Sequence, residues 1–336
     1  MLHAALGRRF TAAVLRVEQA GRVVFERAYG TLDDSADALP VERTTRFDLA
    51  SLTKVFVSTA ALRSVARGRV GLDEPLVSFL AEWRGTAHAA ITLRMLLAHT
   101  SGMQSGADYR TLLADNVERF ALERTLVAEP GAHVVYSDLG FIAVGALLAR
   151  AEQRSLAHVL FETVRATGGK ATGYRPRNDD PQTIPATECD AWRGRVRGAV
   201  HDEKAFLMSG VAGHAGLFGT ARDVAAMAEA YLGAVRGRGG GALPPSLAQE
   251  AIAEHGSDPV LRRGLGWALK TSDENSCGAL LHCSSFGHTG FTGTSVWSDP
   301  VRDLSIVLLT NAVYYGRRDL RDLRAAVCNA CVEAFS

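Results

Sequence analysis

The sequence predicts an α+β fold: an antiparallel sheet flanked by helices, with a mainly helical subdomain inserted in its middle. Three observations predict it. Apolar residues alternate near the start, helical patterns fill the centre, and β-branched, strand-like runs return near the end. The sheet-bearing part is expected over about residues 10–68 and 260–336, with the helical insertion over about 69–259, the whole forming a single catalytic domain.

Each element has a local signature. Residues 12–18 and 22–29 alternate around Gln19-Ala20-Gly21, with Val14 and Val17 set against Val23 and Phe25, as in an antiparallel hairpin. A helix begins near Ser51 and is stopped by Gly68. Thr92 caps 93–98, Asp138 is placed to cap 139–151, and Thr220-Ala221-Arg222-Asp223 is a capping-box variant opening a helix to about Val235. Residues 168–200, rich in Gly, Pro, Arg and Asp, read as a long irregular loop. Strand-like runs follow at 265–270, 280–287, 294–298 and 304–310, and an amphipathic helix over about 318–335 ends the chain.

Composition narrows the function. The 336 residues are 47% hydrophobic, enough for a large core, and 37 basic against 36 acidic side chains leave a net charge of +1. No basic block with interleaved aromatics argues for nucleic acid, and no run approaches the roughly 18 apolar residues of a membrane span. The apolar patch at the N-terminus precedes Arg8-Arg9, the reverse of a secretory signal, so a cytoplasmic protein is expected. Cys189, Cys277, Cys283, Cys328 and Cys331 form an odd, sparse set, better suited to reduced thiols than to a disulfide framework.

Chemistry concentrates at Ser51-Leu52-Thr53-Lys54. One helical turn brings positions i and i+3 together, so the Lys54 amine can reach the Ser51 hydroxyl. The following residues are apolar nearly all round, as in a buried helix, and burial is expected to disfavour the charged lysine and make it a base. Two further motifs follow in order: Tyr136-Ser137-Asp138 after Pro130-Gly131, and Phe286-Gly287-His288-Thr289-Gly290-Phe291.

That ordered set resembles the serine β-lactamase and penicillin-binding-protein superfamily, in its class C-like branch, which includes esterases and D-aminopeptidases. Phe47-Asp48-Leu49-Ala50, the stretch from Ile91 through His99 to Gly102, Val200-His201-Asp202 and Gly213-His214-Ala215-Gly216 extend the likeness over about residues 10 to 330. The resemblance implies a serine hydrolase with an acyl-enzyme on Ser51 and with Lys54 and Tyr136 as the coupled proton-transfer pair. It implies the backbone N–H groups of Ser51 and Phe291 as the oxyanion hole, and substrate contacts from Asp138, His288, Thr289 and Gly290. It implies no cofactor and no metal, and a small ester, amide or β-lactam as substrate.

Two departures redirect the expectation. His288 stands where the superfamily pattern has a lysine, and Asp138 where an asparagine is common, so a permanent cation and an amide donor are both missing. Carboxylic esters and related amides are therefore favoured over β-lactams or peptidoglycan-derived D-amino-acid substrates. A catalytically silent binding protein of the same fold is the remaining alternative. His201-Asp202 and His214 lack metal-ligand spacing and are expected to support loops, and Cys328-Asn329-Ala330-Cys331 has no second pair to make a zinc site. The segments 103–115 and 168–210 are expected to shape substrate choice.

Overall fold

The first alternating segments form the hairpin β1 (Ala12–Gln19) and β2 (Arg22–Gly30), closed by Ala20 and Gly21 at φ values of 49° and 72°. A turn with two positive φ values has the twist that paired strands require. The computed structural model describes residues 1–106, 108, 112–113, 115–176, 181–238, 241–256 and 262–335. Short strands follow: β3 (Phe47–Asp48), β4 (Gly173–Tyr174), β5 (Cys189–Asp190), β6 (Gly194–Arg195) and β7 (Leu217–Gly219). The last group is β8 (Ala268–Leu269), β9 (Phe286–Thr289), β10 (Ser295–Asp299) and β11 (Leu304–Thr310).

Both ends of the chain meet in one six-stranded antiparallel sheet of order β2-β1-β11-β10-β9-β8. β11 lies beside β1 with Val14 opposite Leu309 and Leu15 opposite Leu308. Every residue of β11 is buried, because helices cover both faces, which is why its sequence reads as a continuous apolar run. Alternate residues go to opposite sides: Val14, Val307 and Leu309 join the larger core, while Leu15, Ile306 and Leu308 join a second one.

The helices are α1 (Leu2–Ala5), α2 (Thr53–Ala66), α3 (Leu93–Leu97), α4 (Val117–Glu123), α5 (Asp138–Glu152), α6 (Leu156–Ala166), α7 (Glu203–Leu207), α8 (Ala221–Val235), α9 (Pro245–Ile252) and α10 (Arg321–Phe335). On one side of the sheet α8 contributes Val224, Met227, Ala228 and Tyr231 to the core it shares with α2 and α5. On the other side α10 contributes Leu323, Val327, Cys328, Cys331 and Val332, a helical stripe, so the two terminal-helix cysteines pack against the sheet. All five cysteines carry free thiols.

Several local expectations change. Thr92 and Thr220 cap α3 and α8, accepting from the N–H of Met95 and Asp223 at 3.3 and 3.2 Å. The Asp223 carboxylate does not complete a capping box; it accepts from the backbone N–H of Lys170, Ala171 and Thr172. The run 265–270 shortens to β8, after Gly266 at φ 82°, and the run 280–287 is mostly non-strand, since β9 begins only at Phe286 and extends to Thr289; Gly278 at φ 76° turns the chain between the two strands. α10 begins at Arg321 rather than 318, after Asp319 has accepted the Arg321 N–H at 2.8 Å. Between the helices, β3, β7 and β4 make a small second sheet and β5 pairs with β6, so residues 168–200 are only partly irregular.

A close approach fixes the segment before β7 against α5. A methyl group at Gly213 would lie 1.9 Å from the Phe141 carbonyl oxygen and 3.0 Å from the Gly145 nitrogen. Gly213→Ala is therefore expected to destabilise the protein by about 1–3 kcal/mol, the usual range for overpacking. Urea unfolding measures this, and an unchanged midpoint would mean the contact is not tight.

Candidate active site

Ser51 sits in a short 3₁₀ turn, Ala50–Leu52, that runs directly into α2. The residue before it, Ala50, has a φ of 46°, a left-handed conformation that costs a non-glycine residue about 1–3 kcal/mol and needs support from around it. Support comes from three directions. The buried Asp48 carboxylate accepts the Ala50 N–H at 2.8 Å and the His201 N–H at 2.6 Å. Leu49 N–H donates to the Leu217 carbonyl in β7 at 2.9 Å. From the turn after β9, the hydroxyls of Thr292 and Thr294 donate to the carbonyls of Asp48 and Leu49 at 2.8 and 3.1 Å.

That turn can approach because Gly290 has no side chain: a methyl group there would lie 2.6 Å from the Leu49 carbonyl oxygen and 3.3 Å from Ala50 Cβ. Gly287 has a different reason. A methyl group there would meet the Trp297 ring at 2.4 Å, so this glycine makes room for a core side chain. The buried Arg324 holds the same turn from α10, donating to the carbonyls of Gly290 at 2.7 Å and Thr294 at 3.1 Å. Burial pushes its pKa down to about 10.

Lys54 is fully buried, and its ammonium lies 2.9 Å from Ser51 Oγ, 3.1 Å from the His214 carbonyl oxygen and 2.8 Å from Asp138 Oδ1. Tyr136 completes its surroundings, with the ring centroid 5.0 Å from Nζ. The structure thus brings Ser51, Lys54, Tyr136 and Asp138 together.

It also corrects two expectations about them. Burial alone would lower the Lys54 pKa, but the charges of Asp138 and Tyr136 outweigh it and raise the value, so Lys54 is held as a cation. Asp138 is not the cap of α5. Ser137 takes that role, accepting the Gly140 N–H at 2.9 Å, and Asp138 begins the first turn with its side chain turned to Lys54. Burial works to raise the Asp138 carboxyl, yet Lys54, His214 and Lys204 hold it below the usual carboxylate range.

His99, which the sequence offered only as part of a longer motif, fixes the Tyr136–Asp138 segment. Its Nδ1 accepts the Ser137 N–H at 3.0 Å and its ring lies 4.5 Å from that of Tyr136. Burial, then the charges of Arg263 and Lys54, push its pKa well below the usual histidine value. His288 is also buried and is pushed down to about 3 by burial, Arg263 and Lys54. Its Nδ1 meets the Thr289 carbonyl at 2.9 Å, so the proton sits on Nδ1. Nε2 is then an acceptor, buried and without a hydrogen-bond partner among the described residues. Where a lysine would supply a cation, His288 supplies a neutral, buried ring.

Ser51, Tyr136, His288, Thr289, Gly290 and Phe291 line one cavity of about 660 Å³. Arg263, Arg318 and Arg324 also line it, together with Asp319. Arg263, for which no sequence motif gives a signal, places its guanidinium 5.1 Å from the Tyr136 ring centre. Phe291 is 57% exposed at the mouth, between the His201 ring at 5.7 Å and the Arg317 guanidinium at 5.6 Å. Both flanking groups are tied to Glu188, at 2.8 Å each. Residues 107, 109–111, 114 and 177–180, within the segments expected to shape substrate choice, lie outside the described residues.

Among the described residues, Asp138, Asp202 and His214 bring possible metal-ligand atoms within 4.8 Å of one another. Those atoms are already engaged: Asp138 by the Lys54 and Lys204 ammonium groups, Asp202 by Lys204 and by His214 Nε2. Two ammonium groups inside the cluster make it a charge network and do not suit a dication.

Known proteins share this sequence and architecture. The chain matches the family described as Beta-lactamase over residues 3–329. It is 30% identical to an N-acetylmuramyl-L-alanine amidase of Bacillus subtilis (strain 168), the alignment covering 90% of this chain and 77% of the relative. It is also 30% identical to Esterase EstB of Burkholderia gladioli, over 92% of this chain and 88% of that one. A class C beta lactamase from Rhodobacter sphaeroides superposes with a TM-score of 0.79 at 19% identity, covering 99% of this chain and 97% of the other. With nearly the whole chain inside that family match and a buried lysine bonded to a serine hydroxyl at the edge of the cavity, the chain belongs to the beta-lactamase family of serine hydrolases.

Proposed function

We propose that the protein hydrolyses small carboxylic esters and related amides through an acyl-enzyme on Ser51. The observation that carries this is the 2.9 Å contact between Lys54 Nζ and Ser51 Oγ on the wall of the 660 Å³ cavity. Because Lys54 is held charged, it serves as the electrostatic partner, and Tyr136, whose ring centre lies 5.0 Å from that ammonium, serves as the proton acceptor. Ser51 Oγ attacks the substrate carbonyl as its proton passes to Tyr136. The same proton then goes to the departing alkoxide or amine, and water repeats the sequence to release the acid.

The tetrahedral oxyanion is met by the backbone N–H groups of Ser51 and Phe291, the residue after the turn that Arg324 and Gly290 fix. One such donor is worth about 3 kcal/mol of barrier. Thr289 and Gly290 line the path of the substrate along β9. A second reading, an amidase acting on a carboxylate-bearing, peptidoglycan-derived D-amino-acid substrate, is favoured by the arginines in the cavity lining. Arg263 and Arg318 supply the positive charge that His288 lacks. The two readings share one mechanism and differ in the group that the arginines meet.

Ser51→Ala is expected to lower hydrolysis of short-chain esters by roughly 10³-fold or more. Intact-mass measurement during turnover is expected to show one added acyl group on the parent and none on this variant. Full activity in Ser51→Ala would exclude the proposal. Across a panel of neutral esters, carboxylate-bearing D-aminoacyl amides and a penicillin, faster acylation by the anionic amides would select the second reading.

Asp138→Asn leaves Lys54 and Lys204 without their shared counter-ion and is expected to destabilise the fold by about 3 kcal/mol at neutral pH. The lysines' folded pKa then drops below the unfolded value of about 10.4, so the unfolded chain binds more protons. The deficit is full below the depressed pKa and shrinks as pH rises from there toward the unfolded value. Urea midpoints at about pH 7 and about pH 9.5 read this out; a variant as stable as the parent at both would contradict the assigned role of Asp138.

A further inference from the structure

The charge network behind Ser51 closes into a ring. Lys54 bonds Asp138 Oδ1 at 2.8 Å, Asp138 Oδ2 faces Lys204 at 3.4 Å, and Lys204 bonds Asp202 at 3.1 Å. Asp202 bonds His214 Nε2 at 2.8 Å, and the carbonyl of His214 accepts from Lys54 at 3.1 Å. Three separate elements contribute: the start of α2, the start of α5, and the stretch from the cap of α7 to β7. Lys204 is one-tenth exposed at its side chain, far too buried for an ordinary surface lysine.

We propose that Lys204 is a positioning residue for the reacting group, one that sets the electrostatic balance at Ser51, Lys54 and Tyr136 by sharing Asp138 with Lys54. Resting on the reading of Ser51 as nucleophile, it explains how this chain works with a carboxylate at position 138. A charged Asp138 bound to Lys54 alone would tighten its hold on that ammonium and add negative charge where Tyr136 must become negative. Lys204 engages the second oxygen and cancels that charge. Asp202, which caps α7 through the Ala205 N–H at 2.9 Å, fixes Lys204 and the His214 ring together.

The charged and titratable groups around Lys54 and Tyr136 can be named from every side. Asp138 comes from α5, Lys204 and Asp202 from α7 and its cap, and His214 from the segment before β7. Arg263 lies over the Tyr136 ring, and His99 and His288 flank it at 4.5 and 6.2 Å. Both of these histidines have lowered pKa values and stay neutral through the working range. Among these groups Asp138 is in contact with two ammonium groups, so removing one has a defined sign.

The test is the pH dependence of Ser51 acylation by a chromogenic short-chain ester, in the full chain. Lys204→Met is expected to move the acid limb of the rate upward by about one pH unit, the effect of losing the cation that shares Asp138 with Lys54. Lys204→Arg is expected to restore the limb. Asp202→Asn, which removes a negative charge from the same ring, is expected to move the limb downward and supplies a readout even where Lys204→Met does not fold. A uniform loss of rate with an unmoved limb in either charge-removing variant would overturn the proposal and leave Lys204 a packing residue. Residual acylation in Ser51→Ala would instead overturn the nucleophile, so the two failures are distinguishable.

Discussion

The buried ion pair between Lys54 and Asp138 is the constraint on which the rest of the site depends. A lone ammonium at the Lys54 position would carry a desolvation cost of several kcal/mol, and so would a lone carboxylate opposite it. Together, and with a serine hydroxyl and a backbone carbonyl as further acceptors, they are tolerated. The pair pins α2 to α5 at one point, and that point carries the Ser51 hydroxyl. It also decides the chemistry, because a lysine so paired remains a cation and the proton must go elsewhere.

The placement of Ser51 follows a similar logic. Ala50 adopts a left-handed backbone that alanine does not favour alone, and the fold supplies Asp48, the β7 carbonyl of Leu217 and two threonines to hold it. Gly290 lets the β9–β10 turn come close enough to help, and Arg324 keeps that turn in place. The helical insertion and the sheet thus each supply part of one strained turn. A cavity between them, lined by Phe291 and by several arginines, suits a small acyl substrate.

Much of the scaffold was legible before folding. The β1–β2 hairpin, the largely aliphatic β11 and the buried α2 announce themselves through periodicity and turn residues, and the spacing of Ser51 and Lys54 is a local fact. The strands β3, β4 and β7 were not legible, because no period can be read in two or three residues. The charge state of Lys54 was misjudged for a physical reason: burial alone favours the neutral amine, and only the three-dimensional arrival of Asp138 reverses the sign. Asp138 itself looked like a cap because Ser137 beside it is an equally good one. His99, Arg263 and Lys204 reach the site through tertiary packing, and nothing in their immediate sequence says so.

The central claim is that Lys54 stays charged while Ser51 is acylated. NMR titration of the isotope-labelled Cε of Lys54, assigned by comparison with Lys54→Arg, measures that charge directly. The account predicts no titration of this resonance from about pH 6 up to at least the ordinary lysine value of about 10.4. A transition near neutral pH would show that Lys54 loses its proton in the working range. That result would make Lys54 the base and contradict the role given to its pairing with Asp138.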